Sequence, residues 1–199
     1  MVRTAHTCLL IIGGAEDKVG RATVLRRFVR LAGGRKARIV VIPSASAFPD
    51  EAVETYNAAF GRLGAPEVVV VNPRSRRAAA DGALVTEMDN ATGVFMTGGN
   101  QLKLSQRLVG TPLADAISRA HQRGAVVAGT SAGASVMSLF MISLGPDGVT
   151  PRQRSGQRLA AHEHSPGHAA HRGSSMVVAD IEQRSRFHDT VEYDSGVDA

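Results

Sequence analysis

Five short apolar runs, none of them alternating with polar residues, constrain this chain more than any other feature. They are residues 7–12, 38–42, 68–71, 93–96 and 125–128. Each is followed closely by glycine or proline: Gly13-Gly14, Pro43, Pro73, Gly98-Gly99 and Gly129. A strand that is apolar on successive residues has two faces to hide, which is the signature of a parallel sheet covered on both sides. The intervening segments fit helices. Residues 19–32 place Val24, Phe28, Val29 and Leu31 at near-helical spacing and stop at Gly33-Gly34. A second helix runs from Pro49, well suited to a first turn, to Leu63, and further pieces cover 101–108 and 112–122. The fold class expected is therefore α/β, a three-layer parallel sheet with helices on both faces.

In such sheets ligands gather beyond the carboxyl ends of the strands. Gly13-Gly14, Gly98-Gly99 and the stretch Gly129 to Gly133 all fall just after expected strands, so they should meet at one edge. The last of these reads Gly129-Thr130-Ser131-Ala132-Gly133, between an apolar strand and a small-residue helical stretch reaching Leu139. Gly-x-Ser-x-Gly in that setting fits a nucleophile elbow, a sharp turn that lifts the serine hydroxyl above the sheet at a helix N-terminus. The competing reading is a plain turn whose serine caps the helix.

Composition narrows the function classes. Of 199 residues, 43% are hydrophobic and 21% charged, as in a folded globular domain. No apolar run approaches the roughly 20 residues of a membrane span, and the amino-terminal run leads into a glycine turn rather than a cleavage site. A cytoplasmic protein is expected. The single cysteine, Cys8, lies in the first strand and is expected to be a small buried apolar residue. The net charge of +5 comes from dispersed arginines, and aromatic residues are only 4%, so nucleic acid is not an expected partner. Arg26, Arg27 and Arg30 read as a solvated helix face.

With these stations placed, the chain resembles cyanophycinase, a serine exopeptidase family related to peptidase E. The resemblance rests on residues 13–18 (Gly-Gly-Ala-Glu-Asp-Lys), 42–46 (Ile-Pro-Ser-Ala-Ser), 97–101 (Thr-Gly-Gly-Asn-Gln) and 129–135 (Gly-Thr-Ser-Ala-Gly-Ala-Ser), in that order and spacing. It implies a fold similar to class I glutamine amidotransferases. It also implies a hydrolase, a serine protease that cuts cyanophycin (a poly-aspartate backbone with arginine on its β-carboxyls) to β-aspartyl-arginine dipeptides. Ser131 matches the nucleophile. The backbone N–H of Ala132, in the elbow, and that of Gly99, in a loop shared with Gly98, are the expected oxyanion donors, and Gln101 matches a substrate-site position. Arg184 and Arg186 match arginines near the substrate, suited to carboxylates. Glu16, Asp17 and Lys18 either assist the edge of the site or cap the next helix. No metal or organic cofactor is implied. The partner implied is the aspartate/arginine polymer or its dipeptide, with no membrane, and a homodimer is compatible with the sequence.

The resemblance covers residues 7 to about 158, giving an expected α/β peptidase core at 1–158 and a divergent, His-rich segment of the same domain at 159–199. From Asp189 that segment is acidic and expected to fray. Five of the seven histidines lie in 162–188. The family carries its catalytic histidine in Asp-Gln-His-Phe shortly before Gln-Arg-x-Arg. Here Gln183-Arg184-Ser185-Arg186 is present, but in register Val178, Ala179 and Asp180 stand where Asp, Gln and His belong. Three explanations stay open. A histidine of the 162–171 cluster serves as base, with His171 the candidate; the region is locally scrambled and the product inactive; or the chain is a non-catalytic relative that binds peptides or small molecules. Asp147, in a Gly-Pro-Asp-Gly turn, is a candidate orienting acid, although turn formation is the commoner role. His162, His164, His168 and His171 have metal-like spacing, but Pro166-Gly167 interrupts any shared helix, and a polar loop is the preferred reading.

Overall fold

The computed structural model of the chain describes residues 7–138, together with the backbone of three later strands, Phe140–Ser143, Arg152–Ser155 and Ser174–Ala179. In chain order the elements through residue 138 begin with β1 (Thr7–Ile12), α1 (Thr23–Leu31), β2 (Arg38–Ile42), α2 (Pro49–Arg62), β3 (Glu67–Val70) and α3 (Gly82–Thr86). They continue with β4 (Gly93–Met96), α4 (Gln101–Leu108), α5 (Pro112–Gln122), β5 (Val126–Thr130) and α6 (Ala132–Met137). The later strands are β6, β7 and β8. Six of the strands form one sheet in the order β3-β2-β4-β5-β1-β8, and every pairing in it is parallel. A separate antiparallel pair joins β6 to β7.

The sheet is apolar on both faces because both are covered. Ile39, Val41, Phe95, Val126 and Ala128 face one core with Leu25 and Phe28 of α1 and Phe60 of α2. Val40, Ile42, Val94, Met96 and Val127 face the other with Leu104, Leu108, Leu113 and Ile117 of α4 and α5. Successive residues of one strand thus enter different cores, which is what the unbroken apolar runs encode. This is the three-layer α/β architecture that the runs led one to expect.

Some boundaries differ from the sequence reading, each for a local reason. The first helix starts at Thr23 rather than near 19, because Asp17 holds the preceding residues in a turn. Its Oδ1 accepts N–H bonds from Val19 (2.9 Å) and Gly20 (2.7 Å), and its Oδ2 one from Ala22 (3.0 Å). Leu25 takes the buried place on α1, while Leu31 is 41% exposed. Cys8 is half-buried against the α1 core rather than fully enclosed. Helix α3 and the strand pair β6–β7 had no counterpart in the sequence reading.

Register fixes which end of the sheet carries a site. β1 and β8 run level from Thr7 opposite Ser174 to Ile12 opposite Ala179. Ile12 also lies level with Thr130 of β5, so the carboxyl ends of β5, β1 and β8 stand side by side. The loops after β1, β2, β4 and β5 open at this edge.

Candidate active site

Ser131 sits between β5 and α6 with φ 51° and ψ −110°, a conformation that residues with side chains seldom adopt. Its N–H donates to the carbonyl of Ile12 at 2.9 Å, pinning the turn to β1, and its side chain is exposed. The hydroxyl makes no capping bond to α6, so the plain capping-serine reading does not describe it. The turn is this sharp because two glycines let backbones meet. A Cβ on Gly129 would lie 2.3 Å from the carbonyl carbon and oxygen of Gly133, and one on Gly133 only 2.2 Å from the oxygen of Met96.

The other glycine loops close on the same serine. Cβ atoms built on Gly14 and Gly98 would approach the Cβ of Ser131 to 3.3 and 3.4 Å. Gly99, at φ 137°, presses against the loop after β2, where its Cβ would overlap the carbonyl of Ala45 at 2.3 Å. That seam is bonded by three donors from α4 and its N-cap residue. Asn100 N–H donates to Ala45 O (2.9 Å), Lys103 Nζ to Ser46 O (2.7 Å) and Arg107 to Ser44 O (3.2 Å). The cleft so formed has a volume of ≈ 280 Å³ and brings together residues 14–16 and Lys18, three residues of α2 (Ala52, Thr55 and Tyr56), Thr97 to Gly99, Thr130 and Ser131.

A buried carboxylate organises the floor of this cleft. The Glu16 side chain is 3% exposed. Its Oε2 accepts from Thr130 Oγ1 at 2.5 Å, while Oε1 accepts a short bond from Tyr56 Oη and faces Lys18 Nζ at 3.1 Å. Burial pushes the Glu16 carboxyl up. The hydroxyls of Thr130 and Tyr56, its own backbone N–H and the Lys18 charge outweigh that and hold it below the ordinary value. Tyr56 is correspondingly raised, by burial first and then by the adjacent Glu16 charge. Its ring belongs to the aromatic core, with centroids 4.8 Å from Phe95 and 5.8 Å from Phe60, so one residue links core and cleft.

Among the expected site residues, Ser131, Gly98 and Gly99 line the cleft. Ala132 opens α6 behind the serine and is buried, and Gln101 opens α4 just after the Gly98-Gly99 loop. Glu16 and Lys18 line the cleft, whereas Asp17 organises the turn before α1. Tyr56 and Thr130 were not singled out from the sequence. His171, Arg184, Arg186, Asp147, Asp180 and the histidines at 162, 164 and 168 lie outside the described residues. Among the described residues, the cleft is lined by no histidine, and His121 is instead buried on α5 with Nδ1 3.3 Å from Ala125 O. No group of three or more His, Cys, Asp or Glu among the described residues is placed to hold a metal ion, and no described helix is long and apolar enough to cross a membrane.

A family model described as Peptidase family S51 matches residues 9–195. The chain belongs to peptidase family S51. The cyanophycinase of Geminocystis herdmanii is 40% identical over 154 residues, which is 77% of this chain and 57% of that protein. The cyanophycinase of a Nostoc species is 40% identical over 152 residues, 76% of this chain and 51% of the relative. The chain thus spans little more than half the length of these curated relatives. A solved peptidase from an acI-B1 actinobacterium shares the fold, with a TM-score of 0.62 at 20% identity over 78% of this chain and 66% of that one.

Proposed function

We propose that this S51 chain is a serine-type exopeptidase that hydrolyses cyanophycin, poly-aspartate with β-linked arginine, to β-aspartyl-arginine dipeptides. The observation that carries the reading is Ser131: exposed, strained, uncapped, and enclosed by the loops of Gly14 and Gly98. The Ser131 hydroxyl attacks a backbone carbonyl of the polymer while a base takes its proton. The oxyanion is received by the N–H groups of Ala132 and Gly99, each such donor being worth about 2.7–4 kcal/mol of barrier in acyl transfer. The base returns the proton to the departing amine, and water then releases the acyl group from the serine as the free dipeptide. Gln101 holds an aspartyl group of the substrate, and Arg184 and Arg186 pair with its carboxylates.

His171 is the proposed base. It lies nearest in sequence to the missing Asp-Gln-His-Phe motif; the carboxyl end of β8 is the end level with the cleft edge, and His188, the histidine that follows β8 in sequence, is the competing candidate that serves as the comparison. Incubation with cyanophycin should release dipeptide from the native chain and none from Ser131→Ala. His171→Ala should lose release while His188→Ala keeps it. A second reading is favoured by Val178, Ala179 and Asp180 standing where the family's Asp, Gln and His belong: a relative that binds the peptide without cutting it. Binding without release by the native chain would establish that one and end the peptidase reading.

A further inference from the structure

Two charged residues line the cleft among those described, and they are presented differently. Glu16 faces inward, with both oxygens committed to Thr130, Tyr56 and Lys18. Lys18 lies above it with its side chain 27% exposed. An ammonium has three donors. One goes to the Glu16 backbone oxygen at 3.0 Å, and the ammonium stands 3.1 Å from Oε1 in an ion pair, which leaves a donor for a ligand. An incoming molecule therefore meets the cation of the pair, while the anion stays beneath.

This lysine is also held in place before any ligand arrives. Its Nζ stands 5.4 Å from the centroid of the Tyr56 ring. Its backbone carbonyl accepts from Arg62 of α2 at 2.8 Å, and Arg62 also bonds Gly20 O at 3.1 Å. Asp17 ties the same turn through three N–H groups. A free surface lysine loses much side-chain freedom on forming an ion pair, and a lysine already fixed by its own loop loses little.

We infer that Lys18 is a carboxylate-binding residue of this cleft, which selects an acidic peptide group lying beside Ser131. The inference rests on the peptidase reading for the kind of ligand but not for its own test. Binding is measured by calorimetry in a Ser131→Ala background, so that no turnover intervenes. The probes are β-aspartyl-arginine and two analogues in which one or the other carboxylate is a carboxamide. The Ser131→Ala protein should prefer the dipeptide to at least one carboxamide by about tenfold or more, as expected for a hydrogen bond between charged groups. Adding Lys18→Met or Lys18→Gln should erase that preference, and adding Lys18→Arg should keep it. A preference that survives both Lys18→Met and Lys18→Gln overturns the inference, as does equal binding of all three probes or failure of any to bind. Release of dipeptide by the native chain is scored separately. Release with an unaltered preference in the Lys18 variants sinks the role of Lys18 alone, and a Lys18-dependent preference without release sinks the peptidase reading alone.

Discussion

The elbow makes a stability prediction whose sign is set by two opposing terms. Replacing Gly133 by alanine adds a methyl group in the first turn of α6, directly over β4. Its Cβ would stand 2.2 Å from the oxygen and 2.7 Å from the carbonyl carbon of Met96, about 1 Å inside ordinary contact. Met96 is paired on both sides, with Ile42 and Gly129, so the obstacle is main chain in the middle of the sheet and no rotamer relieves it. Overpacking of this kind costs about 1–3 kcal/mol, and a rigid obstacle belongs at the upper end, ~3 kcal/mol. Against this, alanine is the better helix former by ~1 kcal/mol. The net loss is ~2 kcal/mol, which for a chain of this size lowers Tm by about 4–8 °C. Gly61 is the control, since it lies exposed on α2 and its added Cβ would meet nothing within 4 Å. Only propensity acts there, so Gly61→Ala should raise Tm by about 1–4 °C. Thermal unfolding of both variants followed by circular dichroism checks the pair. A Gly133→Ala protein as stable as the native chain would refute the claim that glycine at 133 is required by backbone contact.

Two further predictions concern the Glu16 network. The Glu16 carboxyl is held below its ordinary value of 4.5 in the folded chain, so its contribution to stability is present above that value and lost as pH falls through the depressed one. Urea unfolding at several pH values from neutral downward should show a steeper acid decline in the native chain than in Glu16→Gln, and parallel curves would contradict the assignment. Tyr56→Phe and Thr130→Val each remove a donor to this carboxylate, at about 1.5–3 kcal/mol apiece. Because the donors share one acceptor group, the double variant should depart from additivity by at least about 0.5 kcal/mol in urea denaturation, and strict additivity would show that they act separately.

The framework was legible because its signals are local. An apolar run closed by Gly13-Gly14 or Pro43 needs no knowledge of distant residues, and the same holds for the helix that opens at Pro49. The arrival of three glycine loops at one edge followed from the parallel sheet, and the loops do close around Ser131. What stayed unread is non-local or too short. Thr130 and Glu16 are 114 positions apart, and the Tyr56 ring packs like any core aromatic, so neither its position nor its neighbours announce that the hydroxyl turns toward the cleft. Helix α3, over Gly82–Thr86, is shorter than two turns and carries no usable apolar period. The start of α1 was missed because Asp17, six residues upstream of Thr23, replaces the expected first turn with its own.

Strain shows where this chain departs from local preference, and among the described residues every non-glycine positive φ is at the edge that carries the cleft. Three residues other than glycine have positive φ: Ala15 (54°), Ala22 (45°) and Ser131 (51°), all among the described residues. Each carries a cost on the order of 1 kcal/mol or more. Two lie in the loop after β1 and one after β5, and none in the body of the sheet. What holds them is rigid and close by. Ala22 is buried and donates to Asp17, and Ser131 donates to the end of β1. The cleft is therefore shaped by the fold before a substrate enters, as transition-state stabilisation by fixed dipoles requires. On the peptidase reading, the glycine loops, the serine and the helix start are supplied by residues 13–132, and the segment beyond α6 supplies the proton-transferring base and the arginines that pair with the substrate. Triad hydrolases stripped of a triad member still retain about 10³–10⁴-fold catalysis over water through binding and oxyanion donors. A preformed cleft without an effective base should behave in the same way, with slow release that responds to Gly99 and hardly at all to the histidines.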